Sequence, residues 1–248
     1  MRAIYILCVR QLKRYVRSPA RMIGSRGQPV IFLLALGFGF GAVFARAGGG
    51  NYLNFLAPGI IAMAILFNAV FTGIEIIWDR QFGFLKETLV APVSRLQIVF
   101  GRTLGGALVA MGQGAVVFVI CLIFGFRFES SYLLPLAILF MFLIALLFTS
   151  IGTVIGSILR DMQGFPLVMN FLVMPLFFFS NALFPLKDLP GVLRVVLHLN
   201  PLTYGVDGLR GSLTHVFSFG VVTDFAVLGV LTSLLLALGS YFFSRIQL

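Results

Sequence analysis

The stretch Trp78–Arg102, WDRQFGFLKETLVAPVSRLQIVFGR, is the most charged internal segment of a chain that is otherwise largely apolar. Within it, Phe82, Leu85 and Leu89 recur at the spacing of one helix face, while polar residues fall on the other faces. Hydrophobic runs long enough to cross a membrane flank the stretch on both sides. The pattern therefore predicts a short amphipathic helix that lies at a membrane surface.

A sharp break follows this helix. Pro92 ends it, because the residue before a proline is pushed out of the helical region. Ser94, with Gln97 three residues later, has the spacing of a capping box and predicts the start of the next helix. We therefore expect a helix, a break and a new helix that enters the membrane.

The composition places the whole chain in the class of integral membrane proteins. Of its 248 residues, 60% are hydrophobic and only 10% are charged, whereas a soluble domain carries about 25% charged residues. The mean hydropathy is +1.06. The length allows about six spans of ~20 residues. The net charge of +10 is interpreted as a sign of membrane topology, not of nucleic-acid binding, and Cys8 and Cys121 indicate neither a disulfide nor a metal site.

The first 28 residues contain seven basic side chains and no acid. Their apolar residues form one helical stripe, which predicts a basic amphipathic helix on the anionic cytoplasmic leaflet, in contact with membrane lipid. Pro19, Gly24 and Gly27 are expected to break this helix before the membrane. We therefore divide the chain into an interfacial helix, residues 1–28, and a six-span domain, residues 29–248.

The hydrophobic runs predict six spans, near residues 29–44, 55–77, 103–125, 132–159, 165–184 and 221–243. Thirteen of the 18 Lys and Arg residues then lie on the side of the N-terminus, which predicts that both termini are cytoplasmic. Before the last span, Asn200 followed by Pro201 is a good helix start. Two amphipathic helices that dip into the outer leaflet fit the apolar residues of this segment.

Polar and small residues within the spans give two further predictions. Glu75, near the inner edge of the second span, is expected to be a snorkelling or ion-paired interfacial acid more than a proton or substrate site. Three glycine pairs at four-residue spacing, Gly37/Gly41, Gly101/Gly105 and Gly152/Gly156, predict close contacts between helix backbones.

Two separated motifs carry a resemblance to a known family. ETLVAPVSRLQIVFGR, residues 87–102, and NPLTYGVDGLR, residues 200–210, are similar to motifs of type 2 ABC exporter permeases, most like the drug-resistance and nodulation-type branch. The resemblance implies an all-α permease that works as two copies, a homodimer in the simplest case, with two copies of a separate ABC ATPase. It implies a cytoplasmic coupling helix on the ATPase, with contact residues Phe82, Leu85, Lys86, Glu87, Leu89 and Pro92. It also implies a re-entrant outer gate with Asn200, Pro201, Tyr204 and Arg210.

The chain has no ATP site of its own. A P-loop needs a glycine directly before its lysine, and Lys13, Lys86 and Lys187 all follow leucine. We therefore expect no enzyme activity and no cofactor in this chain, with ATP and Mg²⁺ on the partner ATPase. An intramembrane hydrolase built on Ser157 would need a base at the same depth, and an ion-coupled carrier or channel would need more membrane-embedded acids. Both alternatives remain open as less favoured ones.

The predicted fifth span, FPLVMNFLVMPLFFFSNALF, contains neither Trp nor Tyr, although sugars are usually bound by aromatic rings with polar tips. Phenylalanine and the adaptable methionine side chain offer an apolar wall instead. The predicted pathway lining consists of Asn68, Asn170, Phe171, Met174 and Phe177. These residues favour export of a hydrophobic or amphiphilic molecule, drug-like or lipid, from the inner membrane. Export of a lipid-linked polysaccharide is the alternative within the same family.

Overall fold

The computed structural model describes residues 2–39, 41, 52–84, 93–129, 131–184 and 191–245, and their regular secondary structure is helical throughout. The helices in chain order are α1 (Arg2–Val16), α2 (Pro19–Gly39), α3 (Tyr52–Phe71), α4 (Ile74–Gln81), α5 (Arg95–Ile123), α6 (Leu134–Ile158, after a 3-10 turn at Ser131–Leu133), α7 (Gly164–Phe178), α8 (Gly191–Leu199), α9 (Pro201–Thr214) and α10 (Val221–Ser244). The predicted all-α class is confirmed.

Five described segments are long and apolar enough to cross a membrane: Met22–Gly39, Tyr52–Gln81, Arg95–Ile123, Ser131–Ile158 and Val221–Ser244. The predicted fifth span, near residues 165–184, is shorter than expected. Helix α7 has 15 residues and rises only about 22 Å, less than the ~30 Å of a bilayer core. The chain turns after Phe178, and the Asn181 carbonyl beyond the turn accepts a hydrogen bond from Arg210 (2.8 Å).

Helix α3 is the centre of the bundle. Its residues are buried almost without interruption from Leu56 to Val70, and it packs against α2, α5, α6, α7 and α9. A helix that is apolar on all sides is stable only where neighbours surround it. The core of the described bundle is therefore built around this one helix.

Glycines set the closest helix contact in the bundle. A methyl group at Gly152 or Gly156 of α6 would collide with the carbonyl oxygens of Val70 and Gly73. The predicted close contact is confirmed here, and small residues explain it because they let the two backbones touch. The contact lies at residues 70–73, directly before α4, where the predicted continuous second span is interrupted.

The N-terminal region differs from the prediction in two respects. The helix break lies at Arg17–Ser18, and α2 runs without interruption through Gly24, Gly27 and Pro29. Each interior glycine costs about 1 kcal/mol, but in a membrane every backbone group needs its helical hydrogen bond, which outweighs that cost.

The apolar stripe of α1 contacts protein. It packs on α5 at Gly101 and Gly105, where an added Cβ would lie 3.1 Å from the Ile4 Cα and 3.0 Å from the Cys8 Cα. The predicted close contact at this glycine pair is confirmed. Across the same contact, Tyr15 donates a hydrogen bond to Gln113 of α5 (2.8 Å). Helix α1 is therefore part of the helix bundle.

Candidate functional site

A buried ionic cluster joins α1, α4 and α5. Asp79 of α4 pairs with Arg102 of α5, and both side chains are 4% exposed. Arg10 and Arg14 of α1 lie 3.6 and 3.5 Å from the same carboxylate. Three arginines from two helices therefore surround one acid of α4.

Glu75 adds a second carboxylate to this ionic cluster. It lies one turn before Asp79, so both acids point to the same side of α4. Its Oε2 lies 3.8 Å from Nη1 of Arg14. The expectation that Glu75 is ion-paired is confirmed. With Arg10, Arg14 and Arg102 against two carboxylates, the ionic cluster carries a formal charge of +1.

The residue after Asp79 fixes α4 to a fourth helix. Arg80 donates hydrogen bonds to the carbonyl oxygens of Ser157 (2.9 Å) and Leu159 (3.1 Å) at the end of α6. The last carbonyls of a helix have no partner within the helix and carry partial negative charge. Arg80 therefore caps α6, and the charged side chains of α4 hold it to arginines of α1 and α5 and to backbone carbonyls of α6.

Helix α4 leads directly into the predicted coupling segment. The chain leaves it at Phe82, which is 68% exposed, and Gly83 has a φ of 79°, which a glycine adopts without strain. The predicted contact residues Leu85, Lys86, Glu87, Leu89 and Pro92 lie outside the described residues. On the far side of that segment, Ser94 accepts a hydrogen bond from the Gln97 backbone (3.3 Å), so the predicted helix start is confirmed.

A cleft opens beside the ionic cluster, between the α1–α2 break and the α3–α4 break. It consists of two adjoining cavities of about 350 and 310 Å³ that share Phe71. Ser25, Gln28 and Asn68 line the first cavity, and Arg14, Ser18 and Trp78 line the second. We refer to the two cavities together as the α1–α4 cleft. It contains aromatic rings, neutral polar groups and one arginine.

The predicted pathway residues do not form one surface in this chain. Asn68 lies in the α1–α4 cleft on α3, while Asn170, Phe171 and Met174 lie on α7. Asn170 and Phe171 are exposed, the latter by 84%, and Phe177 is fully buried. Phe177 therefore does not share the exposed surface of Asn170 and Phe171, and the assignment of these residues to a pathway stays a prediction.

The reason lies in the drift of the buried stripe around α7. The stripe consists of Phe165, Met169, Val173 and Phe177. Residues four apart advance by about 40° around an α-helix, so the stripe has turned toward the side of Asn170 when it reaches Phe177. There the ring packs edge-on against Phe32 of α2, with centroids 6.1 Å apart.

The predicted gate residues meet at the opposite end of α3. Asn200 caps α9 by accepting from the Leu202 backbone (3.0 Å), and Pro201 follows at the first helical position, as predicted. The Asn200 amide also donates to the carbonyls of Leu176 (2.7 Å) and Phe179 (2.9 Å). Tyr204 donates to the His198 carbonyl (2.8 Å). These contacts hold α7, α8 and α9 together.

Arg210 fixes α9 to the first turn of α3. Its guanidinium donates to the Phe55 carbonyl (3.2 Å) and lies 4.0 Å from the centre of the Phe55 ring. Burial lowers the pKa of Arg210 to about 10, so the side chain stays charged at neutral pH. Asp207, one turn earlier, accepts hydrogen bonds from the Ser218 and Phe219 backbones (2.8 and 2.9 Å). The motif NPLTYGVDGLR therefore anchors α9 on both sides.

Sequence reasoning missed most of the ionic cluster and the cleft. Arg10 and Arg14 are four residues apart, as are Glu75 and Asp79, so each pair shares a helix face. One pair is basic and the other is acidic, and both lie beside hydrophobic runs. This pattern could have predicted an ionic contact between the two helices. Arg102 and Trp78 gave no local signal, because their contacts depend on how distant helices pack.

The family model described as ABC-2 type transporter matches residues 2–214. Among curated proteins, the putative transport permease ycf38 of Cyanophora paradoxa is 29% identical over 86% of this chain and 74% of its own length. Nodulation protein J of Rhizobium leguminosarum bv. trifolii is 30% identical over 77% and 73%. The inner membrane transport permease YadH of Escherichia coli (strain K12) is 28% identical over 81% and 78%.

Proposed function

The chain belongs to the ABC-2 type transporter family, and on that premise we propose that it is the permease subunit of an ATP-driven exporter. It is a multi-pass membrane protein whose ATP hydrolysis takes place on a separate ABC ATPase subunit, which binds ATP and Mg²⁺. We place it in the inner membrane with six spans, α7 being part of the fifth, and with both termini in the cytoplasm. Two permease copies, as a homodimer, and two ATPase copies form the transporter.

One observation carries the coupling assignment. Helix α4, which leads into the segment that resembles a coupling helix, is tied to α1 and α5 through Asp79 and to α6 through Arg80. A push on the segment after Phe82 therefore reaches three helices. Residues Phe82, Leu85, Lys86, Glu87, Leu89 and Pro92 are the proposed contact with the ATPase.

The transported molecule is proposed to be hydrophobic or amphiphilic. Exposed Asn170 and Phe171, with half-buried Met174 beside them, give α7 an apolar surface with one polar group. A polar side chain within a membrane favours a protein or water contact over lipid. This surface is the proposed pathway wall against the second copy, with Asn68 lining a separate entry region. Asn200, Pro201, Tyr204 and Arg210 form the proposed outer gate.

The experiment is reconstitution of the chain with its partner ABC ATPase. Leu85→Pro would break the helix predicted from the sequence, at about 3 kcal/mol locally, and Glu87→Ala would remove one proposed polar contact. Both variants should lose transport while the protein still inserts into the membrane. Phe171→Ala and Asn170→Ala should change how hydrophobic compounds alter the ATPase rate. Unchanged transport and normal ATPase association in both loop variants would refute the coupling role. An ATPase rate that is stimulated by a lipid-linked glycan alone would refute the hydrophobic substrate class and favour polysaccharide export.

A further inference from the structure

The α1–α4 cleft has the features of a binding site for a charged head group. Its second cavity places Arg14 beside Trp78, with the guanidinium carbon 5.5 Å from the centre of the indole ring. The indole N–H of Trp78 is buried and has no hydrogen-bond partner among the described residues. A buried donor without a partner costs about 1–3 kcal/mol, so a ligand acceptor here would recover that loss.

The charge of the surroundings selects an anion. Arg14 contacts Glu75 and Asp79, but Asp79 is also paired with Arg102 and Arg10. The ionic cluster is left with one positive charge more than its acids neutralise. The side chain of Arg14 is 33% exposed, so it can turn part of its fork of donors toward a ligand in the cleft.

The first cavity adds neutral donors and an apolar border. Gln28 and Asn68 supply amide groups on α2 and α3. On the exposed surface of α2, Ile23 and Ile31 are 70% and 64% exposed. A ligand with its head in the cleft could therefore lay an alkyl chain along α2, which distinguishes an amphiphile from a free anion.

We propose that the α1–α4 cleft binds the anionic head group of an amphiphile from the leaflet next to α1, with Arg14 and the Trp78 N–H as its main contacts. This inference deepens the proposed function, on which it rests, by naming the entry site and the charge of the substrate. Gln28 and Asn68 complete the head-group contacts. The tail remains in the membrane beside α2.

Trp78 is the only tryptophan of the chain, so its fluorescence reports on the cleft directly. The test uses the full chain in dodecyl maltoside, without the ATPase. Dihexanoyl phosphatidic acid is added below its micellar concentration, and the Trp78 emission is followed. Dihexanoyl phosphatidylcholine and inorganic phosphate are added separately at the same concentrations. We expect a saturable change with phosphatidic acid, and at least tenfold weaker responses to the other two.

Variants locate the site. Arg14→Gln should weaken the apparent affinity about tenfold, and Gln28→Ala about threefold. Lys13→Gln is the matched control: it removes one positive charge from the same helix, but Lys13 does not line either cavity of the cleft. It should bind like the unmodified chain. Gln28→Ala leaves the ionic cluster intact, so it keeps the test informative if Arg14→Gln does not fold.

Three results would overturn the proposal: equal responses to phosphatidylcholine, an equal response to inorganic phosphate, or an equal loss in Lys13→Gln and Arg14→Gln. Because the measurement needs no ATPase, these results are separate from a failure of the proposed function. A chain that binds phosphatidic acid but associates with no ATPase would keep the cleft and refute the exporter. The reverse pattern would keep the exporter and remove the cleft as its entry site.

Discussion

Removal of Asp79 tests whether the ionic cluster holds the bundle together. In Asp79→Ala the guanidinium of Arg102, 4% exposed, stays buried without its carboxylate. Breaking a buried pair from one side costs about 3–5 kcal/mol. Arg10 and Arg14 are 42% and 33% exposed, so water replaces much of their lost contact, which adds about 0–1 kcal/mol each. We therefore expect Asp79→Ala to lower the free energy of unfolding by about 4–5 kcal/mol in total.

The matched control removes both charges. In Asp79→Leu/Arg102→Met neither buried charge is left alone, and apolar side chains of similar size fill the space. Such replacements are often neutral or even stabilising, and here only the two partly exposed arginines lose a partner. The double variant should therefore lose less than about 2 kcal/mol. The difference between the single and double variants measures the cost of the unpaired charge.

The assay is the temperature at which the chain, heated at one fixed rate in detergent, loses its monodisperse gel-filtration peak. One kcal/mol corresponds to about 2–4 °C for a chain of this size, so Asp79→Ala should lower the midpoint by roughly 8–20 °C. The fixed rate matters because heating of such proteins is often irreversible. A shift under about 2 °C for Asp79→Ala, or an equal shift for the double variant, would refute the reasoning.

Three further predictions concern packing, capping and topology. Gly156→Val should prevent folding, because the Gly73 carbonyl contacts α6 at this position. Gly112→Ala, on an open face of α5, should leave the stability unchanged or raise it by up to about 1 kcal/mol. Gel filtration distinguishes the two variants, and a folded Gly156→Val would contradict the contact. Asn200→Ala should lower the stability by about 2–3 kcal/mol, since it removes a helix cap and the two hydrogen bonds that the Asn200 amide donates. The exposed cap variant Ser94→Ala should lower it by only about 0.5–1 kcal/mol. Equal thermal midpoints of the two variants would contradict this prediction. Topology is tested by single cysteines in a chain without Cys8 and Cys121. A cysteine that replaces Lys13 should react with impermeant maleimide only in inverted vesicles, and a cysteine that replaces Arg194 should react only in intact cells. The opposite pattern would reverse the topology.

The features that could be predicted from the sequence are those set by a few neighbouring residues. The caps at Ser94 and Asn200 were predictable because the side chain and the backbone N–H it accepts from lie two or three residues apart. The glycine contact at Gly152 and Gly156 was predictable as a type of contact, since close backbones require small residues. Its partner, the Val70–Gly73 turn, could not be named.

The features that could not be predicted depend on several distant segments at once. The ionic cluster joins Arg10, Asp79 and Arg102, and only helix packing brings them within a few ångströms. The length of α7 was overestimated because hydrophobicity continues to Phe184, whereas the chain turns after Phe178 and its Asn181 carbonyl accepts a hydrogen bond from Arg210, on a helix farther along the chain. Hydropathy records which residues avoid water, not where another helix requires the chain to turn.

The same contacts limit how α4 can move. Gly73 at its start touches Gly152 of α6, and Arg80 at its end caps the same helix. Between them, Asp79 is tied to α1 and α5. A short helix fixed at both ends to one neighbour cannot rotate without moving that neighbour, because close-packed interfaces transmit strain instead of absorbing it. A force applied after Phe82 is therefore carried into α1, α5 and α6 together, while α7, with its exposed Asn170 face, is not attached to this unit through the ionic cluster.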